Sequence, residues 1–148
     1  MDLLDTNILI GAFRADDPAH RTLKAWLEAT LGEHETVTFP PLVEIAFVRI
    51  VTHPKVFVRP STLAEAEGFL ADLRQTGCFR DAVWTPRIRE RAMGYCRNLR
   101  LAGDDVNDAF LAATASVMGC RLVSRDRGFA RFKGLAWFDP TAGANSGG

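Results

Sequence analysis

The sequence predicts an α/β protein in which helices cover both faces of a central, mostly parallel sheet, a three-layer α/β/α arrangement. Short apolar segments typical of strands alternate along the chain with longer segments that have helical spacing. The strand segments are apolar throughout, which is typical of parallel strands buried on both faces. The chain has 148 residues, enough for one domain with a single core.

The first forty residues predict two strands separated by two helical segments. Residues 3–4 form a short buried strand, and a helical turn follows over residues 8–13. Asp17-Pro18 starts a longer helix, because Asp is a good N-cap and Pro is favoured at the first helical position. Apolar residues continue at helical spacing until Gly32, and the alternating, β-branched residues 36–39 predict the second strand.

The middle of the chain predicts three helices and one further strand. A proline pair opens a helix over about residues 42–52. The segment Thr62-Leu63-Ala64-Glu65 is a capping box and starts a helix that runs to about residue 76. Residues 79–83 predict a short strand, and Thr85-Pro86 starts a helix that runs to about residue 99.

The last fifty residues predict one helix, two strands and a tail. Gly103-Asp104-Asp105 starts a helix that ends at Gly119. Residues 121–124 form a strand, and residues 135–138 form a further short one. We therefore expect one domain over residues 1–140, and a disordered tail over the small, polar residues 141–148.

Composition excludes several classes of protein. No segment approaches the length of about 18 apolar residues that a membrane span needs. The N-terminus has no basic segment before an apolar stretch, so we expect no signal peptide and a cytoplasmic protein. Three cysteines without a CxxC pair argue against a disulfide scaffold or a zinc knuckle.

The net charge of zero conceals an asymmetry between the halves of the chain. Residues 1–72 carry a net charge of −5, and residues 73–148 carry +5, mostly as arginine. A phosphate-binding surface and an ordinary solvated face both fit this pattern, and composition alone favours the solvated face.

Four carboxylates follow predicted strands or lie near predicted helix starts: Asp5, Glu44, Asp108 and Asp126. Because ligands of α/β sheets bind beyond the carboxyl ends of the strands, we expect these side chains to gather there. Like charges that gather repel, and a hard divalent cation relieves the repulsion. Without a cluster of His or Cys, Mg²⁺ or Mn²⁺ is favoured over zinc. Such a site predicts hydrolysis of a phosphodiester.

Each of these acids also has a structural alternative. Asp5 and Asp126 could cap the segments that follow them, and Asp104 and Asp105 are better N-cap candidates than metal ligands. Singly, each position favours the structural role. The four together, in this chain order, favour the functional interpretation.

Four segments of the chain, taken in order, resemble the signature blocks of PIN-domain nucleases, and most closely those of the VapC-type toxins of bacterial toxin–antitoxin pairs. The resemblance covers about residues 1–140. The four segments are Leu4-Asp5-Thr6-Asn7-Ile8-Leu9-Ile10, Pro41-Leu42-Val43-Glu44-Ile45-Ala46-Phe47-Val48-Arg49, Asn107-Asp108-Ala109-Phe110-Leu111-Ala112-Ala113 and Val123-Ser124-Arg125-Asp126-Arg127-Gly128-Phe129.

The resemblance implies an Mg²⁺- or Mn²⁺-dependent endoribonuclease that is usually dimeric and is inhibited by a cognate antitoxin. The four acids would be the catalytic, metal-binding quartet. The resemblance further implies that Thr6, Asn7 and Ser124 orient the carboxylates or bound water.

Two departures from the family pattern concern neighbours of these acids. Asn107 stands where Thr or His is common, and Arg125 stands where a small or apolar residue is frequent. Arg125 and Arg127 flank Asp126, and they are candidate contacts to RNA phosphates. Salt bridges to Asp104 or Asp105 are an equal alternative for the two arginines.

Three other functions stay open on the sequence alone. A PIN-type nuclease could process RNA without being a toxin, and a gene for a small antitoxin beside this one would distinguish the two. A structural subunit that needs a partner for stability would unfold in a concentration-dependent way. A non-catalytic RNA-binding or regulatory module is the remaining alternative. The intact set of four acids counts against that module, because carboxylates repel phosphate.

Overall fold

A four-stranded parallel sheet forms the centre of the protein in the computed structural model, which describes residues 1–143. Its strands are β1 (Asp2–Leu4), β2 (Val37–Thr38), β3 (Arg121–Val123) and β4 (Trp137–Phe138). The strand order is β2-β1-β3-β4, and every neighbouring pair is parallel. The predicted sheet is confirmed, and β1 lies inside it between β2 and β3.

Six α-helices flank this sheet. They are α1 (Thr6–Phe13), α2 (His20–Gly32), α3 (Pro41–Val51), α4 (Leu63–Gln75), α5 (Pro86–Leu99) and α6 (Asp105–Met118), and a short 3-10 helix covers Arg127–Arg131. Helix α1 contacts α2 and α3, and α3 contacts α4, whereas α5 packs on α6, which contacts β3. This is the predicted three-layer α/β/α arrangement.

The strands are buried as parallel strands between two helical layers must be. Leu3, Leu4, Leu122 and Val123 are completely inaccessible to solvent, so β1 and the last two residues of β3 are covered on both faces. Among the described residues, no helix is long and apolar enough to cross a membrane.

Capping residues, prolines and glycines in the sequence predicted most of the helix ends that the structure has. The hydroxyl of Thr62 accepts a hydrogen bond from the Glu65 backbone N–H, and the Glu65 carboxylate accepts one from Thr62, so the capping box is confirmed. Thr85 caps α5 with proline at its first position. Gly119 ends α6 in the left-handed region, with φ of 68°, which favours glycine.

Two predicted elements differ from the structure. Helix α2 starts at His20 rather than at Asp17-Pro18, because Asp17 caps the preceding turn by accepting a hydrogen bond from the Ala19 N–H. The strand predicted over residues 79–83 is reduced to one bridge, between Phe79 and Val37.

The shortened strand pairs with the sheet only at Val37, whose N–H donates to the Cys78 carbonyl and whose carbonyl accepts from the Arg80 N–H. Strand β2 itself spans only Val37–Thr38, so it offers residues 79–83 a short partner.

The described chain ends in a turn. The Asp139 side chain accepts hydrogen bonds from the backbone N–H and the hydroxyl of Thr141. The disorder predicted for the tail lies, for residues 144–148, outside the described residues, and the domain boundary at residue 140 stays a prediction.

Candidate active site

Strand pairing brings the first and the last of the predicted acidic segments together. Leu4 of β1 pairs with Val123 of β3, so Asp5 and Ser124 leave adjacent strands side by side at the carboxyl edge of the sheet. The Asp5 backbone N–H donates to the Val123 carbonyl over 3.0 Å and extends the pairing by one step. Residues 119 positions apart in the chain therefore meet at one point.

The Asp5 carboxylate is fixed by three donors. The backbone N–H of Thr6 donates to one oxygen over 2.6 Å. The Ser124 hydroxyl donates to the other over 2.6 Å, and Nδ2 of Asn7 lies 3.3 Å from the same oxygen. Asp5 is also the N-cap of α1. It therefore has both the capping role that the sequence offered as an alternative and a place in the acidic site.

Ser124 links the two sides of this edge. It is completely buried. Besides donating to Asp5, its hydroxyl accepts from Asn7 Nδ2 at 3.1 Å and from the Asp126 backbone N–H at 3.0 Å. Asp126 in turn accepts from the Gly128 N–H over 2.8 Å and caps the 3-10 helix. The three predicted supporting residues Thr6, Asn7 and Ser124 thus all contact the predicted acids.

Asp108 comes from a third element, the first turn of α6, and faces the same edge. Burial, together with the negative charges of Asp126 and Asp5, raises the pKa of Asp108 to about 6, while Arg131 opposes the rise. Burial also raises the pKa of Asp5, and the charge of Asp126 adds to this. Asp5, Asp108 and Asp126 therefore form one electrostatic unit, which we call the acidic triad.

Glu44 lies in the first turn of α3, as predicted, but an arginine holds it. Nη2 of Arg74 donates to the Glu44 carboxylate over 2.6 Å. The same guanidinium lies 5.6 Å and 5.1 Å from the ring centres of Phe39 and Phe79. The charges of three of the four predicted acids thus interact at this edge of the sheet, whereas the fourth pairs with Arg74 of α4.

Arg131 holds Asp108 in a similar way. Its Nη2 lies 3.1 Å from Asp108 and 3.5 Å from Asp105. Within residues 1–143, no group of three or more His, Cys, Asp or Glu side chains stands together as a ready cage for a metal ion. The sequence marks Arg131 only as one of the arginines of the positively charged second half, so its position beside Asp108 was not predicted.

The two arginines beside Asp126 have different surroundings. The guanidinium of Arg125 forms a bidentate pair with Asp17, so neither Asp104 nor Asp105 is its partner. Arg127 is exposed, and no acidic partner is found for it in the described part of the chain. Arg131, rather than either of these, is the arginine that contacts Asp105.

The family model and the relatives similar in sequence indicate the same protein family. The PIN-domain family model matches residues 3–135. Two ribonucleases of Mycobacterium tuberculosis, VapC31 and VapC25, are 36% and 34% identical to this chain, each over 95% of it and 99% of their own length. A VapC ribonuclease of Mycobacterium bovis is 32% identical over 95% of both chains.

Solved structures with lower identity share the fold. A chain in the crystal structure of VapBC2 from Rickettsia felis bound to a promoter DNA fragment superposes with a TM-score of 0.70 and 17% identity, covering 93% of this chain and 97% of that one. A chain of FitAcB from Neisseria gonorrhoeae superposes with a TM-score of 0.64 and 20% identity, covering 96% and 99%.

Proposed function

We propose a function from the premise that this chain belongs to the PIN-domain family, and within it to the VapC ribonucleases. It is a divalent-metal-dependent endoribonuclease that acts as the toxin of a toxin–antitoxin pair and hydrolyses RNA phosphodiester bonds in the cytoplasm. The observation that carries this proposal is the acidic triad, in which three elements place mutually repelling carboxylates at the carboxyl edge of a parallel sheet.

The acidic triad fits Mg²⁺ or Mn²⁺ by its chemistry. All of its donors are carboxylate oxygens, which hard divalent cations prefer. Burial, with the charges of the neighbouring carboxylates adding to it, raises the pKa values of Asp5 and Asp108, and a bound cation would favour their ionised forms. Asp5, Asp108 and Asp126 would hold the ion, and Glu44 would join them only if Arg74 released it.

A bound divalent ion would lower the pKa of the attacking water and offset the charge that develops on the phosphate. The chain's own residues prepare this site. Thr6, Asn7 and Ser124 hold Asp5 in one orientation, and Gly128 does the same for Asp126. Arg127 is exposed beside Asp126, where it can bind an RNA phosphate.

The partners follow from the same premise. RNA is the proposed substrate because the curated relatives are ribonucleases. A cognate antitoxin is the proposed inhibitor, since the structural neighbours include a VapBC assembly and a toxin–antitoxin complex from Klebsiella pneumoniae. We further propose that the chain forms a homodimer.

Cleavage of total cellular RNA by the purified protein tests this function. We expect discrete products with Mg²⁺ or Mn²⁺, and none with EDTA. Asp5→Ala and Asp108→Ala should each abolish cleavage. Asp72→Asn, at an exposed position of α4, is the matched control and should cleave like the wild type.

The outcomes separate the alternatives. Cleavage that survives EDTA and both alanine variants would contradict the proposed site. A wild-type protein that neither cleaves RNA nor binds Mn²⁺ would favour a non-catalytic binding module.

A further inference from the structure

A second acid, Asp17, is tied to the acidic site from the loop between α1 and α2. Its two carboxylate oxygens accept from Nη1 and Nη2 of Arg125 over 3.1 Å and 3.0 Å. The pair is mostly buried, with 14% of the Asp17 side chain and 26% of the Arg125 side chain exposed. Bidentate pairs of this kind fix both orientation and distance.

Arg125 passes this constraint to Asn7. Its Nη2 also donates to the Asn7 carbonyl over 2.8 Å, and its backbone N–H donates to Oδ1 of Asn7 over 3.1 Å. The side-chain amide of Asn7 has one oxygen and one nitrogen. Because Arg125 engages the oxygen, the nitrogen must point towards Asp5 and Ser124, which it reaches at 3.3 Å and 3.1 Å.

The route of the Arg125 side chain depends on a glycine in α1. A Cβ added to Gly11 would lie 3.3 Å from Nη2 of Arg125 and 2.2 Å from Cδ1 of Leu23. Glycine inside a helix costs roughly 0.5–1 kcal/mol relative to alanine. A side chain at position 11 would instead collide with Leu23 of α2 and crowd the Arg125 guanidinium, so glycine is the residue that fits there.

We propose that Asp17 is a positioning residue of the acidic site, which acts through Arg125 and Asn7 to hold the Asp5 carboxylate in its metal-binding orientation. This inference rests on the proposed function. It also assigns the Arg125 guanidinium to the interior of the site, in place of the phosphate contact expected from the sequence.

The test compares Asp17→Asn with Asp16→Asn. Asp16 is a matched control because it lies in the same loop and also forms a bidentate pair, with Arg14, but that pair does not contact Asn7. The probe is Mn²⁺ alone, with affinity measured by isothermal titration calorimetry. The side-chain amide signals of Asn7 are followed by ¹H–¹⁵N NMR.

We expect Asp17→Asn to weaken Mn²⁺ binding about 10-fold, the lower end of the effect of removing groups that orient metal ligands. It should also shift the Asn7 amide signals. Asp16→Asn should lower the thermal midpoint without either change. Arg125→Lys keeps the charge but loses the planar fork that joins Asp17 to the Asn7 carbonyl, so it should weaken Mn²⁺ binding at least as much as Asp17→Asn.

Two results would overturn the inference. One is an Asp17→Asn protein that loses thermal stability but binds Mn²⁺ as tightly as the wild type. The other is an Asn7 amide signal that does not respond to Asp17→Asn. A wild-type protein that binds no Mn²⁺ would instead contradict the proposed function, and the Asn7 signals would then decide the positioning role separately.

Discussion

At the scale of one residue, Asp108 shows how the acidic triad lowers the free energy of unfolding at neutral pH. Its pKa is raised to about 6 from an ordinary value of 3.8 by burial and by the charges of Asp126 and Asp5. The folded protein therefore binds a proton at Asp108 more tightly than the unfolded chain does. Stability must fall as the pH rises from about 4 to about 6 through this group, and must stay lower above that range.

Asp108→Asn should therefore stabilise the protein at pH 7.5 in EDTA. After allowance for solvent screening, we expect a gain of about 1–2 kcal/mol, which is roughly 3–6 °C in the thermal midpoint of a domain of this size. The gain should shrink towards pH 4, where the wild-type carboxyl is protonated. Thermal melts across pH 4–8 measure this, with Asp72→Asn as a control without such a trend. A gain that is constant with pH would contradict the assignment.

Gly128 is a second residue whose size matters for the site. A Cβ at this position would lie 3.0 Å from Oδ1 of Asp126, the oxygen that accepts the Gly128 N–H. Gly128→Ala should rotate that carboxylate and reduce kcat/KM about 10-fold, a loss of about 1.4 kcal/mol of transition-state stabilisation. Its thermal midpoint should change little, since the displaced side chain is exposed.

The control for Gly128→Ala is Gly68→Ala, in α4, where an added Cβ has open space. That change should leave RNA cleavage intact and stabilise the helix by roughly 0.5–1 kcal/mol. If both variants cleave RNA like the wild type, Asp126 does not need its present orientation.

At the scale of elements, the capping box at the start of α4 should make a measurable contribution to the free energy of unfolding. Thr62→Ala removes the acceptor for the Glu65 N–H, which now bonds over 3.1 Å. We expect a loss of about 1 kcal/mol in the free energy of unfolding, measured by urea titration. Glu67→Ala, at an exposed position of the same helix, should change it by less than about 0.5 kcal/mol. Equal losses would mean that helix propensity, and not the cap, accounts for the effect.

Elements set by neighbours in the chain could be predicted from the sequence. Thr62, Thr85-Pro86 and Gly119 act within one helical turn, and all three marked helix ends that the structure confirms. The strand predicted at residues 79–83 is reduced to one bridge because its neighbour β2 spans only Val37–Thr38, a limit that lies outside the local pattern.

The same distinction applies to the site. The candidate acids could be picked out from the sequence because each closely follows a predicted strand or lies in the first turns of a predicted helix. The pairs Arg125–Asp17 and Arg74–Glu44 join residues 108 and 30 positions apart, and nothing in the local sequence marks either partner. Asp17 in particular had a sufficient local explanation as a helix cap, which concealed its contact with Arg125.

At the scale of the whole molecule, the uneven distribution of charge along the chain predicts that RNA binding depends on salt concentration. The second half carries a net charge of +5 and includes Arg127, which is exposed beside Asp126. Arg127→Gln should weaken binding of single-stranded RNA and reduce the slope of log K against log salt by about 1. Arg21→Gln, in the acidic half, should leave the slope unchanged. Fluorescence anisotropy in EDTA between 50 and 200 mM salt measures both, and equal slopes for the two variants would exclude Arg127 as a phosphate contact.

The strand order has a consequence for the timing of synthesis. The ribosome makes β1 and Asp5 well before β3 and Asp126, and Ser124 lies 119 positions after Asp5. A nascent chain therefore holds an incomplete site until β3 and the residues after it have been translated. For a ribonuclease, this order means that helices α1 to α6 are all made before the acidic site is complete.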